Sequence, residues 1–570
     1  MNVKRSRKIP VMIVLLAIAV VVCVSIFTKK DPELEPVDDM ADLTEVYASE
    51  EGMAPIIANG LPSSVKAIVH ERHVYLKLGT VLEDINDGFF WDDTEKCLSY
   101  ATASKVIHVK EYDTFDGAPV FYDNSKTDAK KSEDPSSRIC VQLNYVAQFA
   151  NMKVNIYSDP GRVFLRSKFG DLQYAKIKKG TALRVGPGEN EKILVNVEEE
   201  QDAWLISAEN GWNKVFLESA GHVGYVRDED ISKIETVAEE EPYTEEPYKR
   251  KTLGKKKVVI AWHQVFGETG IDDIEQLLEG TDSLNVVAPT WFSVSSSMGD
   301  IESRADSDYV RIVHEHGLQV WGLVENFNAS TKLDYGQLFG RTSIRTKLVN
   351  NIVNEAVRFG LDGVNLDFEG LPSDAGDGYL QFIKELAISC HENDLFFSID
   401  NYVPSAWTQH YHRAEQAKIV DYFVLMAYDE HYAGSDAGST ASLPFIKKGI
   451  EDTIAAGVPA KMILVGMPFY SRIWRGEDAA VSSETMNMAA MHDAKKQYRD
   501  FMVWDEESGQ NYIEIEIEGV LNRIWVEDVS SIEAKLDLIF DHRVAGIACW
   551  KLGMEIPEAW EAITAMIEEQ

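Results

Sequence analysis

Residues 255–570 alternate apolar strand-like segments with helical segments, and this pattern constrains the fold more than any other feature of the chain. Such an alternation is typical of parallel β/α units, in which each helix covers one face of the sheet. The length of the region also suits a closed barrel of eight such units, whose functional groups lie at the carboxyl ends of the strands. We therefore predict a (β/α)8 (TIM) barrel over residues 255–570. Its eight predicted strands are 258–262, 286–290, 320–326, 363–369, 396–400, 422–428, 462–468 and 546–550.

The chain of 570 residues is too long for a single hydrophobic core, so several domains are expected. Two segments rich in acidic residues and proline, 31–54 and 236–254, have the composition of solvated linkers. Between them, short strand-like runs broken by glycine and proline turns predict a small α+β domain over 55–170 and a small all-β barrel over 171–235. The chain is thus predicted to be multidomain, with the TIM barrel at its carboxyl end.

Residues 1–30 contain an uncharged apolar run at 11–27 that follows a basic flank from Lys4 to Lys8. The run is near the lower limit of length for a transmembrane helix. Because positive charge favours the cytoplasmic side, a helix here would place the residues after Lys30 outside the cell. No small-residue cleavage site follows the run, which favours an uncleaved anchor over a cleaved signal peptide. We predict a single-pass membrane protein with an extracellular carboxyl-terminal domain; secretion after cleavage is the alternative.

The charge balance excludes one class of partner. The chain has 93 acidic and 56 basic residues, for a formal net charge of -37. An excess of this size repels a phosphate backbone, so nucleic acid is not an expected partner.

A hydrophobic fraction of 45% with 10% aromatic residues is that of a folded protein, which excludes a largely disordered binding tail.

The fourth predicted strand, 363–369, carries polar and acidic residues on one face. Side chains alternate across a strand, so Asn365, Asp367 and Glu369 point one way and the apolar residues between them the other. In a barrel whose outer face is covered by helices, these polar groups must face the interior. Burial and the closeness of two carboxyls raise the pKa of at least one of them, which supplies a protonated general acid. The competing use is a magnesium or calcium site, which needs more oxygen ligands than this strand offers.

Asp362, Asp367 and Glu369 match the Asp-x-x-Asp-x-Asp-x-Glu signature of glycoside hydrolase family 18, the chitinase family. The segment resembles the sporulation and cortex-lytic branch of that family. Polar and aromatic residues at the ends of the sixth, seventh and eighth predicted strands agree with the resemblance, which covers nearly all of 256–570. The chain departs from the signature at Asn365, which can hydrogen-bond Asp367 but cannot ionise or share a proton. We expect that departure to alter the pH profile more than the activity.

The resemblance implies a retaining glycosidase that cleaves β-linked N-acetylglucosamine polysaccharide with the help of the substrate itself. Glu369 would protonate the leaving oxygen, and the 2-acetamido group of the substrate would attack the anomeric carbon. Asp367 would orient that group and Tyr428 would hydrogen-bond it. No metal ion or organic cofactor is implied. The residues implied to contact the sugar are Asp362, Asn365, Met426, Asp429, Tyr470, Arg472, Trp550 and Trp291.

The two small domains also carry resemblances. The segment Val-Tyr-Leu-Lys-Leu at 74–78, the pair Trp91-Asp92 and the helical segment 143–146 that leads to 154–156 make residues 55–170 resemble a copper-amine-oxidase N-terminal-like domain. These residues lack a histidine cluster of the kind that copper sites need. The segments Leu-Arg-Val-Gly-Pro-Gly at 183–188, Gly-Trp-Asn-Lys-Val at 211–215 and Gly-Tyr-Val at 224–226 make residues 171–235 resemble a bacterial Src-homology-3 (SH3) barrel. Several short strands with glycine turns also suit a small closed barrel. For the second domain, binding of peptide or cell wall and a role as a rigid spacer are both open.

Two other functions are open at this point. A barrel of this kind can keep its sugar cleft and lose its chemistry, which would make the chain a non-catalytic sugar-binding envelope protein. Alternatively, the small domains could carry the function of an envelope scaffold. Retention of Glu369 favours the enzyme. The expected partners are an N-acetylglucosamine-containing polysaccharide, the cell wall and, through the amino-terminal helix, the membrane. Peptidoglycan, spore cortex and chitin all present such sugar units, and the predicted anchor favours the cell's own wall.

Overall fold

The computed structural model describes residues 37–70, 72–110, 119–122, 135–265, 273–327, 332–476 and 481–569. The chain divides into two compact units, one comprising Met1–Tyr100 and His108–Glu246 and the other Ala101–Ile107 and Pro247–Gln570. In the described part, no helix combines the length and the apolar character that crossing a membrane requires. The predicted anchor at 11–27 lies outside the described residues.

The first unit contains two seven-stranded sheets that share an apolar cluster, in which the rings of Phe164 and Phe216 stack with centroids 3.6 Å apart. Trp204 belongs to the same cluster and is buried. The likenesses to copper-amine-oxidase and SH3 domains stay predictions. The strands of the first sheet are Met53–Ala58, Leu61–His70, His73–Lys77, Val120–Tyr122, Ile139–Gln142, Lys153–Ser158 and Gly161–Arg166. Those of the second are Gly170–Ile177, Ala182–Arg184, Ile193–Asn196, Gln201–Glu209, Trp212–Leu217, His222–Arg227 and Ile231–Glu239.

Shorter elements complete the amino-terminal half of the chain. The further strands are Phe89–Asp92, Cys97–Ala101 and Val106–Lys110. The α-helices are Leu43–Val46, Leu78–Asp84 and Leu143–Val146, and the 3-10 turns are Pro135–Ser137, Ala147–Phe149 and Asp228–Asp230.

The second unit is built on a closed barrel of eight parallel strands, as predicted. Each strand pairs with the next along the chain, and the last pairs with the first. The strands are β1 Val258–His263, β2 Val286–Val294, β3 Gln319–Glu325, β4 Gly363–Asp367, β5 Phe396–Tyr402, β6 Tyr422–Met426, β7 Ile463–Pro468 and β8 Gly546–Trp550. A short strand, Ile301–Ser303, pairs antiparallel with the end of β2.

Helices cover the outside of the barrel and bury their apolar faces against it. In the helix Thr342–Phe359, side chains four residues apart, including Ile344, Leu348 and Ile352, are buried. The helix ends at Gly360, whose φ of 68° is the left-handed conformation that glycine adopts readily. The helices of this unit are Ile274–Leu277, Ser307–Glu315, Tyr335–Gly340, Thr342–Phe359, Gly376–Glu392, Arg413–Gln416, Leu443–Ala455, Val529–Asp541 and Pro557–Glu569, with 3-10 turns at Ser373–Ala375, Ala406–Tyr411 and Ala460–Met462.

A second sheet, which was not predicted from the sequence, is inserted between β7 and β8. Its buried side chains, among them Ile473, Met491, Ile513 and Ile524, form an apolar cluster of their own. The insertion consists of the antiparallel strands Tyr470–Arg475, Ser482–Asn487, Met502–Asp505, Gln510–Ile517 and Val520–Val526, the helix Met488–Gln497 and the 3-10 turn Arg499–Phe501.

Aromatic rings fill the interior at the amino ends of the strands. Trp321 stacks on Phe396 with centroids 5.3 Å apart and lies 5.7 Å from the ring of Tyr422. All three residues stand at or near the start of their strands and are buried. Because this end is packed with apolar groups, the polar interior residues are concentrated toward the carboxyl ends.

Candidate active site

Strand β4 carries two of the predicted catalytic residues to the carboxyl end of the barrel. Asp367 is the last residue of the strand and is 7% exposed, and Glu369 follows two residues later and is half-buried. Asn326, just after β3, holds the main chain at this point: its Oδ1 accepts the Glu369 N–H at 2.9 Å and its Nδ2 donates to the Glu369 carbonyl at 2.8 Å. Asn326 thus fixes the backbone position of Glu369.

Asn365 lies in the barrel interior and is fully buried. Trp262 Nε1 donates to its Oδ1 at 2.9 Å, and its Nδ2 donates to Ser398 Oγ at 3.0 Å and to Asp400 Oδ1 at 2.7 Å. These contacts engage the whole amide, so the predicted hydrogen bond from Asn365 to Asp367 is wrong. Asp367 Oδ1 is buried and has no hydrogen-bond partner among the described residues.

The two most buried carboxyls of the site, Asp367 and Asp400, both favour the protonated form. Burial raises the pKa of Asp367 well above its usual range, and the charges of Asp400 and Glu369 raise it further. Burial also raises the pKa of Asp400 to about 8, although the hydrogen bond from Asn365 opposes the shift. Near neutral pH, this pair therefore holds at least part of one proton.

Glu369 has the electrostatic properties of a general acid. Burial raises the pKa of its carboxyl, a hydrogen bond with Tyr402 lowers it, and the charge of Asp429 raises it again; the net direction is upward. A raised pKa keeps a larger fraction of the carboxyl protonated toward neutral pH, as proton donation requires.

A cavity of about 980 Å³ opens above these carboxyls. Tyr428 and Trp550 form one side of it, and each ring packs against Trp262, with centroids 6.2 and 5.8 Å away respectively. The structure brings six of the predicted residues together in the lining: Asp367, Glu369, Met426, Tyr428, Asp429 and Trp550.

The inserted sheet contributes two further predicted residues next to Asp429. Tyr470 donates its hydroxyl hydrogen to Asp429 Oδ1 at 2.6 Å, and Arg472 Nη2 lies 3.9 Å from the same oxygen. Asp429 has a φ of 55°, a conformation that few residues other than glycine adopt. Tyr470 and Arg472 do not line the cavity itself. Instead, they hold the carboxylate of Asp429, and Asp429 lines the cavity.

Three further residues implied to contact the sugar lie outside the cavity lining, and those predictions are wrong: Asn365, which is fully buried with its amide engaged as described above, Asp362 and Trp291. Asp362 stands just before β4, at the opposite end of the strand from Glu369, where its Oδ2 accepts the Val320 N–H and bonds His314 Nε2, both at 2.8 Å. Trp291 is fully buried and packs edge-on against Tyr309, in the apolar layer outside the strands.

Several residues that line the cavity were not predicted from the sequence. Glu325 ends β3 and Tyr402 ends β5, so both occupy the strand ends where a barrel places its functional groups. Phe327, Trp407 and Tyr432 also line the cavity and are 48%, 61% and 56% exposed. Large exposed aromatic rings at a cavity mouth are suited to stack on the apolar faces of sugar rings.

Comparison with known proteins agrees with this geometry. Residues 256–555, more than half of the chain, match the family described as Glycosyl hydrolases family 18. The chain is 27% identical over 244 residues to the cortical fragment-lytic enzyme of Bacillus subtilis, in a match that covers 39% of this chain and 54% of that protein. The chain therefore spans about half the length of that relative.

Two further likenesses extend over more of the matched protein. The chain is 21% identical over 291 residues to the uncharacterized glycosylase YvbX of Bacillus subtilis, which covers 49% of this chain and 84% of that protein. The crystal structure of a chitinase from Chromobacterium violaceum superposes with a TM-score of 0.50 and 20% identity, over 55% of this chain and 100% of that one. This last likeness supports the barrel fold.

Proposed function

Because the chain belongs to glycosyl hydrolase family 18, we propose that it is a retaining glycosidase that cleaves β-linked N-acetylglucosamine polysaccharide. One observation carries the proposal: a carboxyl with a raised pKa, Glu369, borders a cavity at the carboxyl end of β4, two residues after a second buried carboxyl, Asp367. General acid catalysis of glycosidic cleavage needs such a protonated group within reach of the leaving oxygen.

The nucleophile in this proposal is the substrate's own acetamido oxygen. Asp367 is poorly suited to attack the anomeric carbon, because burial and the charges of Asp400 and Glu369 raise its pKa and so disfavour the ionised form that a nucleophile needs. As the glycosidic bond breaks, Glu369 gives its proton to the leaving oxygen and the acetamido oxygen closes a five-membered oxazolinium ring.

The remaining groups would hold that ring in place. Asp367 would accept the acetamido N–H, and the Tyr428 hydroxyl would donate to the acetamido oxygen. Trp550 would support the apolar face of the sugar, and Asp429, held by Tyr470, would accept a hydrogen bond from a sugar hydroxyl. Water then attacks the anomeric carbon from the side that the leaving group occupied, with Glu369 as the base, so the β configuration is retained.

For the polymer, we propose peptidoglycan, including its form in spore cortex, in preference to chitin. Support comes from the name of one relative, the cortical fragment-lytic enzyme, and from the predicted membrane anchor, which favours the cell's own wall. The polymer lies outside the cytoplasm, which fits the predicted orientation of the chain. Protease added to intact cells should then cleave the acidic segment at 31–54, whereas full protection would contradict that orientation.

Turnover separates the enzyme from a sugar-binding protein on the same fold. The purified full chain should release new reducing ends from N-acetylglucosamine oligomers and from peptidoglycan, and it should leave fully de-acetylated polymer intact, because that polymer lacks the internal nucleophile. Binding of both polymers without release of reducing ends would favour the non-catalytic alternative.

A further inference from the structure

The orientation of the Asn365 amide is set by its neighbours. The Trp262 indole N–H can only donate, so the amide oxygen must face it, and the amide nitrogen must face Ser398 and Asp400. Asp400 is therefore an acceptor at Oδ1, and Asn365 has no hydrogen left for Asp367.

Asp400 and Asp367 are neighbours on adjacent strands. Strands β4 and β5 are parallel and in register at Leu366 and Ile399, and Asp367 and Asp400 are the residues that follow these two. Each of the two carboxyls has one buried oxygen without a hydrogen-bond partner among the described residues, Oδ1 of Asp367 and Oδ2 of Asp400. Two buried carboxylates at such a position repel each other unless they hold a proton between them.

We propose that Asp400 is a positioning residue that shares one proton with Asp367, and that it replaces the acidic side chain that the family signature carries at position 365. Sharing keeps Asp367 able to accept the acetamido N–H while the two carboxyls together carry one negative charge. In this chain, the acidic side chain stands on β5 instead of β4. Asn365, at the signature position on β4, holds Asp400 through a hydrogen bond. The inference rests on the proposed function, because the role of Asp367 is defined by that reaction.

The groups around the pair come from several elements. Glu369 follows β4, Tyr428 follows β6, and Tyr379 lies on the helix Gly376–Glu392; all three interact electrostatically with Asp367 or Asp400. Glu325 at the end of β3 and Tyr411 at the end of the 3-10 turn Ala406–Tyr411 also interact electrostatically with Asp367. All of these groups are negative when ionised. A negative charge on Asp367 or Asp400 therefore raises the pKa of Glu369.

The test compares kcat, KM and the pH profile of the full chain on N-acetylglucosamine oligomers with those of Asp400→Asn. The substitution keeps the side-chain volume and removes the shared proton. We expect kcat to fall about tenfold or more, as for the loss of a hydrogen bond to a charged group, with little change in KM. The basic limb should move to lower pH, because Asp400→Asn removes a neighbouring carboxyl that, when ionised, raises the pKa of Glu369.

A double variant and a matched control distinguish positioning from simple stability. Asn365→Asp combined with Asp400→Asn returns the acid to β4 beside Asp367, and it should recover most of the lost kcat and of the basic limb. Asp421→Asn removes another fully buried carboxylate of the same barrel, which accepts the Phe397 N–H at 2.9 Å, and it should leave the pH profile unchanged.

The results of these experiments separate a failure of the role of Asp400 from a failure of the proposed function. An unchanged pH profile in Asp400→Asn, or a double variant no better than the single one, overturns the role of Asp400. Absence of turnover by the wild-type chain overturns the proposed function instead. Should Asp400→Asn not fold, infrared spectra of the wild type with isotope-labelled aspartate serve in its place: a protonated aspartate band that persists above pH 6 is expected, and its absence contradicts the shared proton.

Discussion

Asn326 hydrogen-bonds the main chain of Glu369 in both directions, as an acceptor to the N–H at 2.9 Å and as a donor to the carbonyl at 2.8 Å. The pair links the end of β3 to the loop after β4, and Asn326 Nδ2 also donates to the Tyr335 hydroxyl at 2.7 Å. A single amide thus sets the position of the proposed general acid without touching its carboxyl.

Replacement of Asn326 should therefore impair catalysis through position. In Asn326→Ala, we expect kcat to fall about 10- to 100-fold, because small displacements of a catalytic group cost rates of this order. Unfolding should become easier by about 1–3 kcal/mol, the usual cost of unpaired polar groups. Asn351→Ala is the matched control, since Asn351 donates to the Gly299 carbonyl at 2.8 Å away from the cavity. A folded Asn326→Ala variant with wild-type kcat would contradict the positioning role.

Glu369→Gln removes the acidic proton and keeps the shape of the side chain. Turnover should fall at least about a hundredfold, in line with the usual contribution of general acid catalysis. Circular dichroism should not change. Glu355→Gln, on the outer helix Thr342–Phe359, provides the control for an equivalent substitution and should retain full activity. Wild-type hydrolysis by Glu369→Gln of a substrate with a poor leaving group would remove Glu369 from its role.

The raised pKa of Asp400 has a consequence for stability. Between the ordinary pKa of 3.8 and the value of about 8, the folded state holds a proton that the unfolded state releases, so the free energy of unfolding falls as pH rises through this window. The slope from one such group is at most about 1.4 kcal/mol per pH unit. Urea unfolding at pH 5 and pH 7.5 should show a steeper decline for the wild type than for Asp400→Asn; parallel curves would contradict the raised pKa.

Chelation should leave the activity intact. In the proposed reaction, the developing charge is stabilised by Asp367, Tyr428 and the substrate amide, and none of these steps uses a metal ion. Activity is measured before and after dialysis against EDTA. Loss of activity that a single divalent ion restores would favour the rejected interpretation of the acidic residues on β4 as a metal site.

Local rules were enough to predict the barrel and the central part of the site. The alternation of apolar strands with helical segments predicted the barrel, and the two-residue period of β4 places Asn365 and Asp367 inside it. The same period shows why Asp362 was misassigned: it is out of phase with Asp367, and only the spacing of the signature connected them. The burial of Trp291 could not be inferred, because the predicted second strand ended at residue 290, whereas β2 extends to Val294 and includes Trp291.

Other features depend on contacts that local patterns do not define. Asp400 and Tyr402 reach the site through the register of β5 against β4, which is fixed only when the barrel closes. The inserted sheet did have a local signal. The alternating residues 511–526 form a hairpin in which Ile517 pairs with Val520, and the turn residues Glu518 and Gly519 have positive φ values of 53° and 77°.

The stereochemistry of the first product tests the central claim most directly. The acetamido oxygen attacks the anomeric carbon from the side opposite the leaving group, and water then attacks from the side that the leaving group occupied, so the configuration of that carbon is retained. Proton NMR of an N-acetylglucosamine oligomer during the first turnovers, before mutarotation, should show the β-anomer appearing first. Appearance of the α-anomer first would mean that water attacks directly, and Asp367 would then have to act as a general base.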